Sequence, residues 1–245
     1  MSKFTDPIPF PPAWLAELDA LEARWQGGDA ASQADIDEAL ALWRQRLHYP
    51  VTAHEEAFDI VDAAGEPLGL IAPRWFSHFT GLRHRVVHVL LTAPQGLLAL
   101  QMRSHDKPEW PDRLDTTVAG HLKAGQDWEM GLDSEIHEEI GLAPEDRHRW
   151  LAETLLIAIG GPFERYNRDA GLPPIRNRQV NRIYTGTLSA WGLAHVTFAD
   201  GEVGGLYLTS PQEIQRLLDA PNSLIAPSLR GVFPLWQAFR DGAGN

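Results

Sequence analysis

The sequence predicts an α/β protein: an α/β/α sandwich on a mixed sheet, preceded by an N-terminal helical hairpin. Three observations carry that expectation. Short apolar runs such as RVVHVLLT (85–92) are interleaved with helical patterns, the arrangement that a sheet covered by helices requires. An acidic helical stretch, 134–142, lies among those strands and closes on Gly141. The segment before Pro50 carries two amphipathic helical stripes instead.

Bulk composition narrows the function. A chain of 245 residues can bury one large core, or one domain with an added segment. Hydrophobic content of 44% with nine tryptophans points to a globular protein. No apolar run reaches the ~18 residues needed to cross a bilayer. The opening MSKFTDPIPFPP lacks the apolar core of a signal peptide. The absence of cysteine excludes disulfides, thiolate metal sites and thiol nucleophiles. A cytoplasmic protein is the expectation. Net charge is −12, from 21 basic and 33 acidic residues. Such a field repels nucleic acid polymers and anionic membranes. A polyanionic small-molecule substrate would need a bound cation and a few local basic side chains.

In chain order, residues 1–12 read as a proline-rich extended arm (Pro7, Pro9, Pro11, Pro12). Trp14, Leu15, Leu18, Leu21 and Trp25 form one helical stripe, stopped by Gly27 and Gly28. Ser32 with Asp35 predicts the N-cap of a second helix carrying Ile36, Leu40, Trp43 and Leu47. The stripe of this hairpin must be covered by the main domain or by a second subunit, so a homodimer contact or a lid is expected. Pro50 marks a boundary, giving an arm and hairpin over 1–50 and a main domain over 51–245. Residues 58–61 and 68–71 flank Asp62-Ala63-Ala64-Gly65 as a β-hairpin. Residues 85–92 and 96–103 predict a second hairpin of strands buried on both faces. A loop over 104–113 and a strand over 114–119 follow. Later expectations are a strand over 150–159, a long loop over 160–174 serving as a substrate lid, and strands over 178–188 and 205–208. Ser210 and Pro211 open a helix through Leu218, and a last helix over 228–240 is expected to kink or start late at Pro234.

The chemistry concentrates in AGHLKAGQDWEMGLDSEIHEEIGL, 119–142. Glu135, Glu138 and Glu139 stand at i, i+3 and i+4, so a helix places all three on one side. Like charges that close repel unless a cation sits among them, and oxygen-only ligands suit a hard divalent ion such as Mg²⁺ or Mn²⁺. Alone, EIHEE reads as an ordinary solvated helix face. The distances to Gly120 before it and to the Gly141-Leu142 stop after it favour a function.

With those positions in place, the stretch resembles the Nudix box, G-x5-E-x7-R-E-U-x-E-E-x-G-U, where U is a bulky aliphatic. Gly120, Glu135, Ile136, Glu138, Glu139, Gly141 and Leu142 match. Gln126 and Ser134 replace the glutamate and arginine that in the family are expected to brace the loop and helix. Losing both together leaves no orphaned buried charge. The resemblance implies the Nudix-type α/β/α sandwich and a box over 120–142.

A wider resemblance, over about 57–218, is to the branch that includes type I isopentenyl-diphosphate isomerases. It rests on FDIVDAAGEPLG, GLRHRVVHVLL, the glutamine-arginine pattern of LALQMRS, Lys107-Pro108, and Asp115 before AGH. Those isomerases carry a catalytic cysteine before a Gly-His pair and a glutamate on a later strand. Here Ala119 and Gln179 stand at those places, and isomerisation needs one group to protonate and another to deprotonate. Alanine does neither. His78, His84 and His121 lie near the isomerases' metal-binding histidines, with hydrogen-bonded strand-end histidines as the alternative.

The resemblance implies a hydrolase cleaving a diphosphate linkage, with Mg²⁺ (or Mn²⁺) on Glu138 and Glu139. Glu135 would be a further ligand or orient water, and the Gly120 backbone would assist. Arg103 and Lys107 are the candidates for gripping phosphate, with solvated surface charges as the alternative. Trp110, Phe163 and Tyr166 are candidates for stacking on a base, or for packing. The readings in play are a diphosphohydrolase on a small-molecule diphosphate, a weakened Nudix-fold ligand-binding or regulatory module, and, last, an isomerase.

Overall fold

The computed structural model describes residues 10–26, 32–52, 54–107, 109–153, 155–169, 174–199, 201–221 and 223–243. The arm before Phe10 and the Gly27-Gly28 stop fall outside them. The chain forms two compact units. The first is built from Met1–Arg85, Leu122–Gln126 and Pro162–Asn181, and the second from Val86–His121, Asp127–Gly161 and Arg182–Asn245.

The first unit opens with α1 (Pro12–Gln26) and α2 (Gln33–Arg46). α2 starts where predicted, since Ser32 and Asp35 form the reciprocal capping box. The antiparallel hairpin β1 (Ala57–Val61) and β2 (Pro67–Pro73) follows. α3 (Arg74–Thr80) has no counterpart in the sequence expectation. It spans under two turns, too short for a readable period, and ends on Gly81 at φ 80°. Its Phe76 and Phe79 close a core with Leu18, Trp25, Ile36, Trp43, Leu47 and Ile60. Each large side chain buried there stabilises by about 1.5–3 kcal/mol. Apart from Leu15, which is exposed, the apolar stripe of the hairpin is therefore packed within its own unit.

The second unit carries most of a seven-stranded sheet. Its strands are β3 (His84–Thr92), β4 (Leu98–Arg103), β5 (Leu114–Asp115), β6 (Val118–His121), β7 (Ile157–Asp169), β8 (Ile175–Thr187) and β9 (Val203–Thr209). The order is β5-β4-β3-β8-β7, with β6 also on β3 and β9 also on β4. β3 is buried at every residue but Thr92, as its unbroken apolar run requires. The predicted strand over 114–119 breaks in two, because the chain changes partner. Asp115 pairs with Gln101 on β4, whereas Val118 pairs with Val89 on β3. Thr117 fills the crossover, its hydroxyl accepting from Leu91 N at 2.8 Å.

The helices of this unit are α4 (Trp128–Ile140), α5 (Arg147–Trp150), α6 (Ala190–Ala194), α7 (Pro211–Asp219) and α8 (Pro227–Ala243). Ser210 caps α7 through Glu213 N and Pro211 opens it, as expected. α8 runs through Pro234 without ending there.

Two expectations are corrected. The strand predicted over 150–159 begins only at Ile157, with α5 and a bend before it. The segment expected as a lid loop is strand as far as Asp169, with residues 170–173 outside the described set. Gly, Pro and charged residues in GGPFERYNRD mask the strand, yet an edge strand at the end of the sheet order tolerates them. Among the described residues, no helix is long and apolar enough to cross a membrane.

Candidate active site

α4 begins at Asp127, whose carboxylate accepts from Glu129 N at 3.0 Å and Met130 N at 2.8 Å. It ends on Gly141 at φ 70°, where an added Cβ would meet Thr197 Oγ1 at 1.9 Å. Capped at both ends, the helix presents its glutamates in a fixed register. Glu135 and Glu139 are buried, at 8% and 3% exposure, while Glu138 is exposed. The reason is angular: at about 100° per residue, i+4 falls about 40° to one side of i and i+3 about 60° to the other. A face centred between Glu135 and Glu139 leaves Glu138 at its rim, where its carboxylate accepts from Ser134 Oγ at 2.8 Å.

β6 supplies the floor of the site. A Cβ on Gly120 would lie 1.8 Å from Glu135 Oε2, so only glycine allows that carboxylate to settle against the strand. Glu139 Oε2 accepts two hydrogen bonds at 3.1 Å, from the backbone N–H of Ala119 and from the side-chain amide of Gln101. Burial, reinforced by the neighbouring Glu135, holds the Glu139 carboxyl well above its ordinary 4.5. The Ala119 N–H and the Lys107 ammonium oppose that shift, and Glu202 adds to it. Two carboxylates buried side by side need a proton or a cation between them. The donor set is oxygen only, so the residues present fit a hard divalent ion.

The two departures from the box pattern each have local work. Gln126 Oε1 accepts from Lys123 N at 2.8 Å, closing the turn before α4. In the first unit, Arg85 donates to Gln126 O at 2.6 Å and to Asp59 at 2.9 Å, and Asp59 also accepts from Gly125 N at 2.9 Å. On the helix side, Arg147 pairs with Asp133 and Glu129. Loop and helix are thus braced by residues outside the box positions.

The phosphate candidates differ. Arg103 is spent on its own loop, donating to Glu109 O at 2.8 Å, Trp110 O at 3.2 Å and Asp115 at 3.4 Å. Asp115, 2% exposed, is further held by Ser228 Oγ and Thr116 N. Lys107 sits in the same loop and pairs with Glu202, whose backbone carbonyl accepts from Ser104 N at 2.9 Å. Trp110 is 53% exposed in this loop, with φ 54°. In the first unit Tyr166 lies under Arg178, 4.2 Å from guanidinium to ring centroid, and Phe163 O accepts from Asn181.

His78 and His84 are buried in the first unit, ring centroids 4.9 Å apart, with Phe58 stacked on His84 at 4.7 Å. Burial, with His84 beside it, drives the His78 pKa well below 6.5, and burial lowers that of His84 to about 4. Both imidazoles are therefore neutral at pH 7. His121 ends β6 in the second unit, opposite Val86. Gln179 is buried in the first unit at 9% exposure.

Gln101 and Glu202 are absent from the sequence-predicted site. Gln101 had a signal, as a polar residue inside the apolar strand LALQMR. Glu202 had none in the glycine-rich DGEVGG.

Comparison with known proteins places this geometry. A family model for the NUDIX domain matches residues 82–224. Nudix hydrolase 3 of Arabidopsis thaliana is 39% identical over 94 residues, 38% of this chain and 12% of that protein. An uncharacterized Nudix hydrolase of Listeria monocytogenes is 30% identical over 87 residues, 36% of this chain and 52% of that protein. The chain thus spans about half or less of the length of these two relatives. The isopentenyl-diphosphate Delta-isomerase of Nocardia farcinica is 27% identical over 188 residues, 76% of this chain and 98% of that protein. Among solved structures, DR0079 from Deinococcus radiodurans superposes with TM-score 0.52 at 18% identity, over 73% of this chain and 98% of that one, a likeness of fold.

Proposed function

The chain belongs to the Nudix family, and on that premise we propose that it is a Mg²⁺-dependent (or Mn²⁺-dependent) hydrolase of a diphosphate linkage in a nucleotide-like or other small diphosphate metabolite. The observation that carries this reading is the buried pair Glu135 and Glu139 on α4, packed on Gly120, with ionisation of Glu139 suppressed. Such a pair costs stability unless a cation arrives, and it lies inside the box that matches the family.

Glu135 and Glu139 would hold the ion, with Glu138 at the rim as a ligand through water or direct contact. A bound divalent ion neutralises phosphate oxygens and makes water a better nucleophile at neutral pH. Ala119 N–H and Gln101 fix the Glu139 carboxylate from below. Lys107 is the basic side chain placed to take a phosphate, exchanging Glu202 for it. Arg103 acts at one remove, shaping the loop that carries Lys107.

The isomerase reading lacks its chemistry here. Ala119, at the cysteine position, offers a methyl group and contributes only its backbone N–H. A binding module with no turnover remains the alternative, motivated by Gln126 and Ser134 in place of the usual bracing pair.

The test is product identification by chromatography and mass spectrometry. The protein and its Glu139→Gln variant are incubated with nucleoside di- and triphosphates, dinucleotides, coenzyme A, thiamine diphosphate and isopentenyl diphosphate, with Mg²⁺ or Mn²⁺. Phosphate-bond cleavage that requires Glu139 and stops on chelation supports the hydrolase. No turnover, with thermal stabilisation by one compound, supports the module. Interconversion of the five-carbon diphosphates would reinstate the isomerase.

A further inference from the structure

We infer that Gln101 is a positioning residue for the cation site: its amide clamps one oxygen of Glu139 so that the other is left for the ion, and its own oxygen is kept for the ion's water. The inference rests on the cation reading above and extends it to a residue outside the box.

The observations are local to β4, β6 and α4. Gln101 is fully buried, at 0% exposure, in a strand whose neighbours Ala99 and Leu100 are also fully buried. Its Nε2 donates to Glu139 Oε2 at 3.1 Å, and Ala119 N donates to the same oxygen at 3.1 Å. Two donors, from two strands, occupy the lone pairs of Oε2 and fix the plane of the carboxylate. Glu139 Oε1 is the acceptor that remains. The amide orientation suits the ion-bound state, in which Glu139 is ionised and only the amide nitrogen can donate to it.

The other end of the amide supplies an independent observation. Gln101 Oε1 is buried and has no hydrogen-bond partner among the described protein groups. A buried acceptor left that way is destabilising, and a methionine or leucine would fill the same space without it. A fold that keeps the glutamine has a use for both ends. A buried oxygen on the amide that holds Glu139, with no protein donor, suits the protons of a water in the first hydration layer of a divalent ion.

A purely structural Gln101, tying β4 to α4, makes a different prediction, so metal affinity and apo stability are measured separately. Mn²⁺ binding to the 245-residue chain is followed by calorimetry and by electron paramagnetic resonance, for wild type, Gln101→Met, Gln101→Leu and Glu139→Gln. Thermal unfolding of each is recorded in EDTA. The expected result is Mn²⁺ affinity lowered on the order of 10- to 100-fold in Gln101→Met and Gln101→Leu, the range for outer partners of ligands. Their unfolding midpoints in EDTA should stay at or above that of wild type. Mn²⁺ affinity within twofold of wild type, or a fall in apo midpoint that accounts for the loss of binding, overturns the role of Gln101. If wild type binds no Mn²⁺, or binds it equally well as Glu139→Gln, the cation reading itself fails.

Discussion

The two units each contain a cluster of charge with a buried centre, and the clusters are built on opposite plans. In the first unit Asp19 and Glu22 of α1 and Glu164 of β7 face Arg83, Arg168, Arg176 and Arg178. Arg176 is fully buried, donating to Glu22 at 3.0 Å and Asp19 at 2.6 Å. Arg178 donates to Glu22 at 3.0 Å and Glu164 at 2.5 Å. Every carboxylate there has its counter-charge in the chain. In the second unit Glu135 and Glu139 are buried together, and Glu139 accepts from the Gln101 amide and the Ala119 N–H with the Lys107 ammonium acting on it from nearby. The first cluster is cross-linked by ion pairs and acts as a brace; the second sets two carboxylates of one helix side by side in a buried place, an arrangement that a cation would favour.

The largest expected effect breaks the brace. Arg176→Met leaves Glu22 buried with half its counter-charge, and removing one partner of a buried pair costs about 3–5 kcal/mol. Chemical denaturation measures it. The double variant Glu22→Leu/Arg176→Met should recover part of the loss, since a buried pair replaced by apolar groups is often neutral. A cost below about 1 kcal/mol for the single variant would mean that the cluster is not satisfied from within.

Glu139→Gln tests the other plan. It removes the candidate ligand while keeping the shape and the contacts to Ala119 and Gln101. Activity on whichever diphosphate is cleaved should fall by more than about 100-fold, beyond the range for outer-layer changes, while apo stability holds or rises. A stable, fully active Glu139→Gln would dissolve the distinction between the clusters.

The pH dependence should have opposite signs. Glu139 has a folded pKa raised above 4.5, so the folded state holds its proton more tightly than the unfolded one. Its contribution is full below about pH 4.5 and is lost as pH rises towards the folded value. Asp19 is lowered first by its hydrogen bond from Arg176, and Glu164, despite its burial, by hydrogen bonds from Arg83 and Arg178. Their contribution is present above the ordinary carboxylate pKa and lost as pH falls through the lowered one. Unfolding midpoints in EDTA should therefore decline as pH rises above about 4.5, through Glu139. That decline should disappear in Glu139→Gln and on adding Mn²⁺. A decline that survives both would assign it to other groups.

These clusters also divide what the sequence made legible. α4, its stop at Gly141 and the shared side of Glu135, Glu138 and Glu139 were readable, because a helix repeats locally and glutamate spacing states which residues meet. The Asp127 cap and the burial of Glu135 and Glu139 with Glu138 left at the rim came only with the packing. The brace was not. Glu22 meets Arg176 across 154 positions, and Glu22 reads as one more polar residue of an amphipathic helix. The burial of Gln101 was half legible: a polar residue in LALQMR is conspicuous, but its partner lies 38 residues away. α3 and β7 were missed for a related reason, since one is too short for a period and the other is an edge strand without the apolar alternation of a covered one.

The smallest expected effect concerns a pair that shares features of both plans. Lys107 and Glu202 form an ion pair like those of the brace, yet both act electrostatically on Glu139 in the site. Lys107 is 19% exposed and Glu202 49%, so water weakens the pair and a phosphate can compete for the ammonium. If Lys107 exchanges Glu202 for substrate, the two substitutions act in opposite directions. Lys107→Met should raise KM about tenfold, the scale of one hydrogen bond to a charged group. Glu202→Gln, which releases the ammonium, should lower KM by roughly twofold to fivefold, a fraction of an exposed pair's weak coupling. In the Lys107→Met background the effect of Glu202→Gln should vanish, because the residue through which it acts is gone. Equal rises in KM from both single variants would place the pair with the brace, as a clamp on the 104–113 loop.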